Sequence, residues 1–181
     1  MRLDEDDEVA DFGWDLPEKD YPSNYTNTHH NANPLGDPFD ALVISDYNKG
    51  FLSEEKIFEL VEWFDGPVFI DSKKTKLPKK NCFIKINELE RSKLKGKYPN
   101  AIVTKGSQGA EYKGISYLGV KVPTFDVSGA GDTFLAALTY FYLESGRIEL
   151  AIPLANRAAS IAVQHPGTYI LSMDEADDLR S

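Results

Sequence analysis

Apolar residues recur along this chain with two periods, and the switches between them lay out the elements. The run FDALVIS from residue 39 is β-rich, and SEEKIFELVEWF follows with Ile57, Leu60, Val61 and Phe64 at the spacing of one helical face. Glu54 and Glu55 fall in the first turn of that helix, where its dipole favours acids. Gly66-Pro67 stops it. PVFID and CFIKI read as the next strands, NELERSKLKGK as a short helix and AIVT as a further strand. GAEYKGISYLGVKVPTF reads as short antiparallel strands joined by Gly-containing turns. Two long helical segments come next, one ending near Glu144 and one running from about Ile148 to Gln164. Pro153 is set to kink the second or to mark its true first turn. SMDE at residues 172–175 has the form of a capping box opening a final short helix.

Strands that alternate with helices imply parallel pairing through right-handed crossovers, hence a layered α/β sheet. In such sheets ligands collect at the carboxyl ends of the strands. The loops SDYNKG, DSKK, NELE, TKGSQG and DVSGAGD all fall at such ends. Residues 1–38 have another texture. They are acidic, then rich in Asn, Pro and Thr, without a sustained period, and read as an irregular arm with one short strand near its start. The domain proper is therefore expected over residues 39–181.

Length and composition narrow the classes. At 181 residues with 41% hydrophobic content, the chain can bury a core as one soluble domain. A formal net charge of -9 argues against nucleic acid or an anionic membrane as partner. The apolar run FLAALTYFYL is too short to span a bilayer. The single cysteine, Cys82, makes no internal disulfide, which fits a reducing cytoplasm, and it reads as a small buried hydrophobe. His29-His30 and His165 lack the spacing of a zinc site.

Chemistry concentrates in FDVSGAGDTF, residues 125–134. It is not a phosphate-binding GK[ST] loop, and Phe134 occupies the place of the third glycine in a dinucleotide fingerprint. What remains is a helix start whose first amides, at Gly129, Ala130 and Gly131, belong to residues small enough for close approach. Such amides with the helix dipole form an anion site. A carboxylate there, Asp132, would repel an anion. It makes sense as the base that takes a proton from a hydroxyl attacking a phosphoryl group held by those amides. The plainer alternative is a Gly-rich turn capped by Asp132.

DVSGAGDTFLAALT resembles the C-terminal signature of the PfkB/ribokinase family of sugar kinases. The resemblance implies a ribokinase-like three-layer α/β/α fold, ATP with Mg²⁺ as cofactors, Asp132 as catalytic base and the Gly129–Gly131 backbone as anion hole. INELE resembles the family's Asn-x-x-Glu motif, which places Asn87 and Glu90 near Mg²⁺ through its waters. Read alone, Asn87 is a helix N-cap and Glu90 a solvated residue. TKGSQGAEY resembles the nucleotide loop, bringing Thr104, Lys105, Gly106 and Gly109 to the ATP phosphates. LANRAASIAVQHPGT resembles the segment flanking adenine, with Asn156 and Gly167 at matching positions; an Ala-rich packing helix explains the same residues. Asp126 and Ser128 correspond to a monovalent-cation (K⁺) site. SDYNKG and DSKK look most like the heptose 7-phosphate kinase branch, with Lys73 on nucleotide phosphates and a sugar phosphate as acceptor.

The resemblance covers residues 39–175 well and residues 1–8 loosely, where RLDEDD resembles the end of a lid region. It corresponds to the C-terminal part of a family domain. The acceptor-binding part and the cover for one sheet edge are therefore expected from a second chain or from a homodimer.

Overall fold

The computed structural model describes residues 39–180. The expectations for residues 1–38, including the short strand, the lid resemblance and His29-His30, lie outside the described residues. The strands are β1 (Leu42–Asp46), β2 (Val68–Ser72), β3 (Phe83–Asn87), β4 (Ala101–Thr104), β5 (Gly109–Tyr112) and β6 (Ile115–Leu118). The helices are α1 (Glu54–Trp63), α2 (Glu88–Lys93), α3 (Ala130–Ser145), α4 (Ile148–Ala162) and α5 (Met173–Asp178). The strands form one sheet in the order β1-β2-β3-β4-β5-β6. Pairing is parallel from β1 to β4 and antiparallel at β5 and β6.

Alternation along the strands divides two cores. Val68, Ile70, Ile84 and Ile86 point to one face, where Ile57, Val61 and Phe64 of α1 and its cap cover them together with Leu77, Cys82 and Tyr98. Phe69, Ile102 and Tyr112 point to the other, against Leu135, Leu138 and Phe141 of α3 and Ile148, Ile152 and Ala155 of α4. Helices on both faces of a mostly parallel sheet make the expected three-layer α/β/α arrangement. Cys82 is buried, as expected of a small hydrophobe.

Local signals explain the helix ends. The Ser53 hydroxyl accepts from the Lys56 amide to start α1, and such a cap contributes about 1 kcal/mol. The Ser172 box starts α5 as its spacing implies. α3 stops at Gly146, whose left-handed φ of 66° lets its amide reach the Tyr142 carbonyl at 2.7 Å. α4 starts at Ile148, so Pro153 lies inside it and does not mark its first turn. Burial of Ala151, Ile152 and Ala155 against the sheet outweighs the amide that proline lacks. Among the described residues β1 and β6 are the edge strands, and Val43 on β1 is 45% exposed.

Candidate active site

Register places a polar row at the carboxyl ends of the parallel strands. Ser45 lies opposite Asp71, and Asp71 opposite Lys85. All three project toward the face that carries α3, because they share the parity of Phe69 and Phe83. Lys85 Nζ is 2.5 Å from Asp71 Oδ2 in a largely buried pair. Burial pushes the Asp71 carboxyl up, and the Lys85 ammonium opposes that shift. The same ammonium lies against the first turn of α3, since a Cβ on Gly131 would come within 2.7 Å of Nζ. Gly131 is therefore small for a packing reason as well as for amide approach.

Asp132 stands on that turn. Its Oδ2 accepts a hydrogen bond from the Tyr47 hydroxyl at 2.7 Å, and its Oδ1 accepts a longer one from Ser45 Oγ at 3.4 Å. The bond to Asp132, with burial, pushes the Tyr47 phenol up to about 12. Lys73 Nζ sits 4.4 Å from the centre of the Tyr47 ring, a cation–π contact on the same edge of the site.

Gly129 is the N-cap of α3 with a left-handed φ of 76°. A Cβ there would press on Thr168 at 3.0 Å, so the start of α3 and the 165–168 loop touch. Asp126 braces that contact. Its Oδ1 accepts from the Ser128 amide at 2.8 Å and its Oδ2 from the Gly167 amide at 3.0 Å. These bonds favour the charged form and hold the Asp126 carboxyl below its ordinary value. With one amide on each oxygen, the Asp126 carboxylate ties the Ser128 turn to the Gly167 loop.

From this turn a cleft of about 160 Å³ runs over the antiparallel end of the sheet, lined by Thr104, Gly106, Ser107, Gly109, Gly119, Val120, Ala130, Gly131, Phe134, Asn156, Ala159 and Ser160. The sequence-derived residues Thr104, Gly106, Gly109, Asn156, Ala130 and Gly131 thus line one cavity. Gly109 holds φ 93° and ψ -131°, and Gly119 packs its backbone against it. Asn156 Nδ2 donates to the Tyr117 carbonyl at 3.0 Å, tying α4 to β6 and fixing the width of the cleft. Lys105 does not line it; its ammonium pairs with Glu111 at 2.7 Å. Asn87 is the N-cap of α2, as its residue type implies, and Glu90 closes a reciprocal capping box with it where a solvated residue was expected.

No group of three or more His, Cys, Asp or Glu side chains is arranged to hold a metal among the described residues. The donors present suit a hydrated divalent cation that arrives with phosphates. Glu90 accepts from the Asn87 amide, and Asp132 stands on the first turn of α3. Sequence reasoning missed Tyr47, Ser45, Asp71 and Lys85 as site residues. It also missed Ser107 and Val120, which stand beside glycines of the turns, and Ser160, which lies in the Ala-rich part of α4.

An acid, a helix start of small residues and a cleft thus lie together at the strand ends. Residues 84–176 match the pfkB family carbohydrate kinase model, and the chain belongs to that family. The Bifunctional protein HldE of a Marinomonas species is 30% identical, over 76% of this chain and 35% of that protein. The Bifunctional protein HldE of a Nitratiruptor species is 28% identical, over 77% of this chain and 36% of that protein. The chain thus spans about a third of the length of the curated relatives it matches. Among solved structures, ribokinase from Thermotoga maritima superposes with a TM-score of 0.65 at 21% identity, covering 79% of this chain and 57% of that one. Arabidopsis thaliana ribokinase complexed with ribose and ATP gives 0.62 at 20% identity, covering 78% and 56%. The likeness to these structures establishes the ribokinase-like fold.

Proposed function

We propose that this chain carries the ATP-binding, base-bearing part of a sugar kinase. One observation carries the reading: the cleft ends on Ala130 and Gly131, and the next residue of the same turn is Asp132. A nucleotide lying along the cleft would set its terminal phosphate at the start of α3, where amides and dipole stabilise the charge of the transferring group. Asp132 accepts the proton of the attacking hydroxyl, the new P–O bond forms to that oxygen, the bond to the β-phosphate breaks, and ADP leaves. Lys73 and Lys85 supply positive charge at the strand ends. Mg²⁺ would neutralise the phosphates through water shells near Asn87 and Glu90.

The resemblance of SDYNKG and DSKK favours a heptose 7-phosphate as acceptor, in a cytoplasmic enzyme. The acceptor contacts would come from a portion that the longer relatives possess, supplied by a second chain or by a second copy. The alternative reading is a nucleotide-binding or interaction module without turnover.

Calorimetric titration of Mg-ATP tests the common part. One-to-one binding is expected for the unaltered chain, with at least about tenfold weaker binding in Ala159→Trp, whose indole fills the cleft. Absence of binding by a folded, monodisperse sample contradicts the proposal.

A further inference from the structure

On the opposite face of β1 and β2 from Asp132 lies a buried polar cluster that the phosphoryl-transfer chemistry does not use. Asp46 is 6% exposed and Ser72, its register partner, 1%. Ser72 Oγ donates to Asp46 Oδ2 at 2.7 Å, the Asn48 amide donates to Oδ1 at 2.9 Å, and Lys74 Nζ lies 3.6 Å from Oδ2. Lys74 also donates to Asn48 Oδ1 at 2.8 Å, and Asn48 itself sits at a left-handed φ of 56°. A buried carboxylate is costly unless it is paired and hydrogen-bonded. Here the pairing fixes the residues on both sides of Tyr47, whose backbone is thereby held while its side chain reaches the other face.

We propose that Tyr47 is the positioning residue of Asp132, held over it by the Asp46–Ser72–Lys74–Asn48 cluster. The proposal rests on the reading of Asp132 as the base. The phenol closes Oδ2 with a short bond, while Oδ1 has only the long contact from Ser45. Oδ1 is thus the oxygen left to receive the proton of the acceptor hydroxyl. The Lys73 ammonium above the Tyr47 ring keeps the ring in place from the solvent side. The groups that face Asp132 are Ser45 and Tyr47 from β1 and its loop, and Asp71 from β2 with its partner Lys85 from β3.

The test replaces Tyr47 with 3-fluorotyrosine and follows its ionisation by ¹⁹F NMR. The midpoint is expected at least about one unit higher in the folded chain than in the urea-unfolded chain. That difference should shrink in Asp132→Asn, to the part that burial and Asp71 leave, and shrink in Lys74→Met. Equal midpoints in folded and unfolded chains overturn the proposal without touching the base reading. In Mg-ATP-dependent transfer to a heptose 7-phosphate, Tyr47→Phe should lower kcat about 10–100-fold through misplacement of the carboxylate, with the nucleotide KM unchanged. Unchanged kcat in Tyr47→Phe beside an inactive Asp132→Asn overturns the role of Tyr47 alone. Full activity in Asp132→Asn overturns both.

Discussion

Gly109→Ala is the substitution whose cost follows most directly from the geometry of the cleft. Gly109 stands at φ 93° and ψ -131°, a region that residues with a Cβ scarcely enter, and strain of this kind costs about 1–3 kcal/mol. An added Cβ would also lie 2.1 Å from the Tyr117 carbonyl oxygen and 2.4 Å from the Gly119 amide nitrogen. Both are backbone atoms, so no side-chain rotation relieves the clash. The Gly109–Leu118 end of the β5–β6 ladder would have to open. A total near the upper end of large single-site effects is expected, about 4 kcal/mol or more. Gly114→Ala is the matched control: its φ is 78°, and nothing lies within 4 Å of its added Cβ. It should cost about 1–2 kcal/mol, the left-handed backbone penalty alone. Urea denaturation of both variants isolates the steric part, and calorimetry should show weaker Mg-ATP binding only in Gly109→Ala. Equal losses of stability in the two variants would refute the reasoning.

Two further outcomes follow from the site. Lys85→Met leaves Asp71 unpaired in a largely buried place and should cost about 3 kcal/mol. Pairing it with Asp71→Asn should cost clearly less than the sum of the single changes; strict additivity in denaturation contradicts the pair. The Asp126 carboxyl is held below its ordinary value when folded, so its contribution is present above the unfolded value of about 4 and is lost as pH falls through the folded value. Hydrogen-exchange protection of the Ser128 and Gly167 amides should hold at neutral pH, decline below about pH 4, and be missing at neutral pH in Asp126→Asn. Protection at neutral pH equal to wild type in that variant is the contrary result.

Much of the fold is legible in the sequence because its elements are marked locally. The helical face of α1, the Ser172 box and the Gly146 stop need only neighbours within a few residues. The Asn87 N-cap is local too, although the return bond from the Asn87 amide to Glu90 was not read from the spacing. Thr104, Gly106, Gly109 and Asn156, which the family resemblance singled out, line the cleft. The polar row was not legible. Lys85 sits within the apolar run CFIKI, where a strand reading hides it until register sets it beside Asp71. Tyr47 reaches a residue 85 positions away, and no periodicity encodes that contact. The Lys105–Glu111 pair, six residues apart across the turn, is likewise set by the fold and not by periodicity.

The central claim is that Asp132 is the base of a phosphoryl transfer whose donor lies in the adjoining cleft. Transfer of labelled γ-phosphate from Mg-ATP to a heptose 7-phosphate, measured with the acceptor-binding portion supplied and compared between the unaltered protein and Asp132→Asn at equal nucleotide saturation, tests it most directly. The account predicts turnover that falls at least about 100-fold in the variant while Mg-ATP affinity stays within about twofold. Transfer by Asp132→Asn at the rate of the unaltered protein would contradict it.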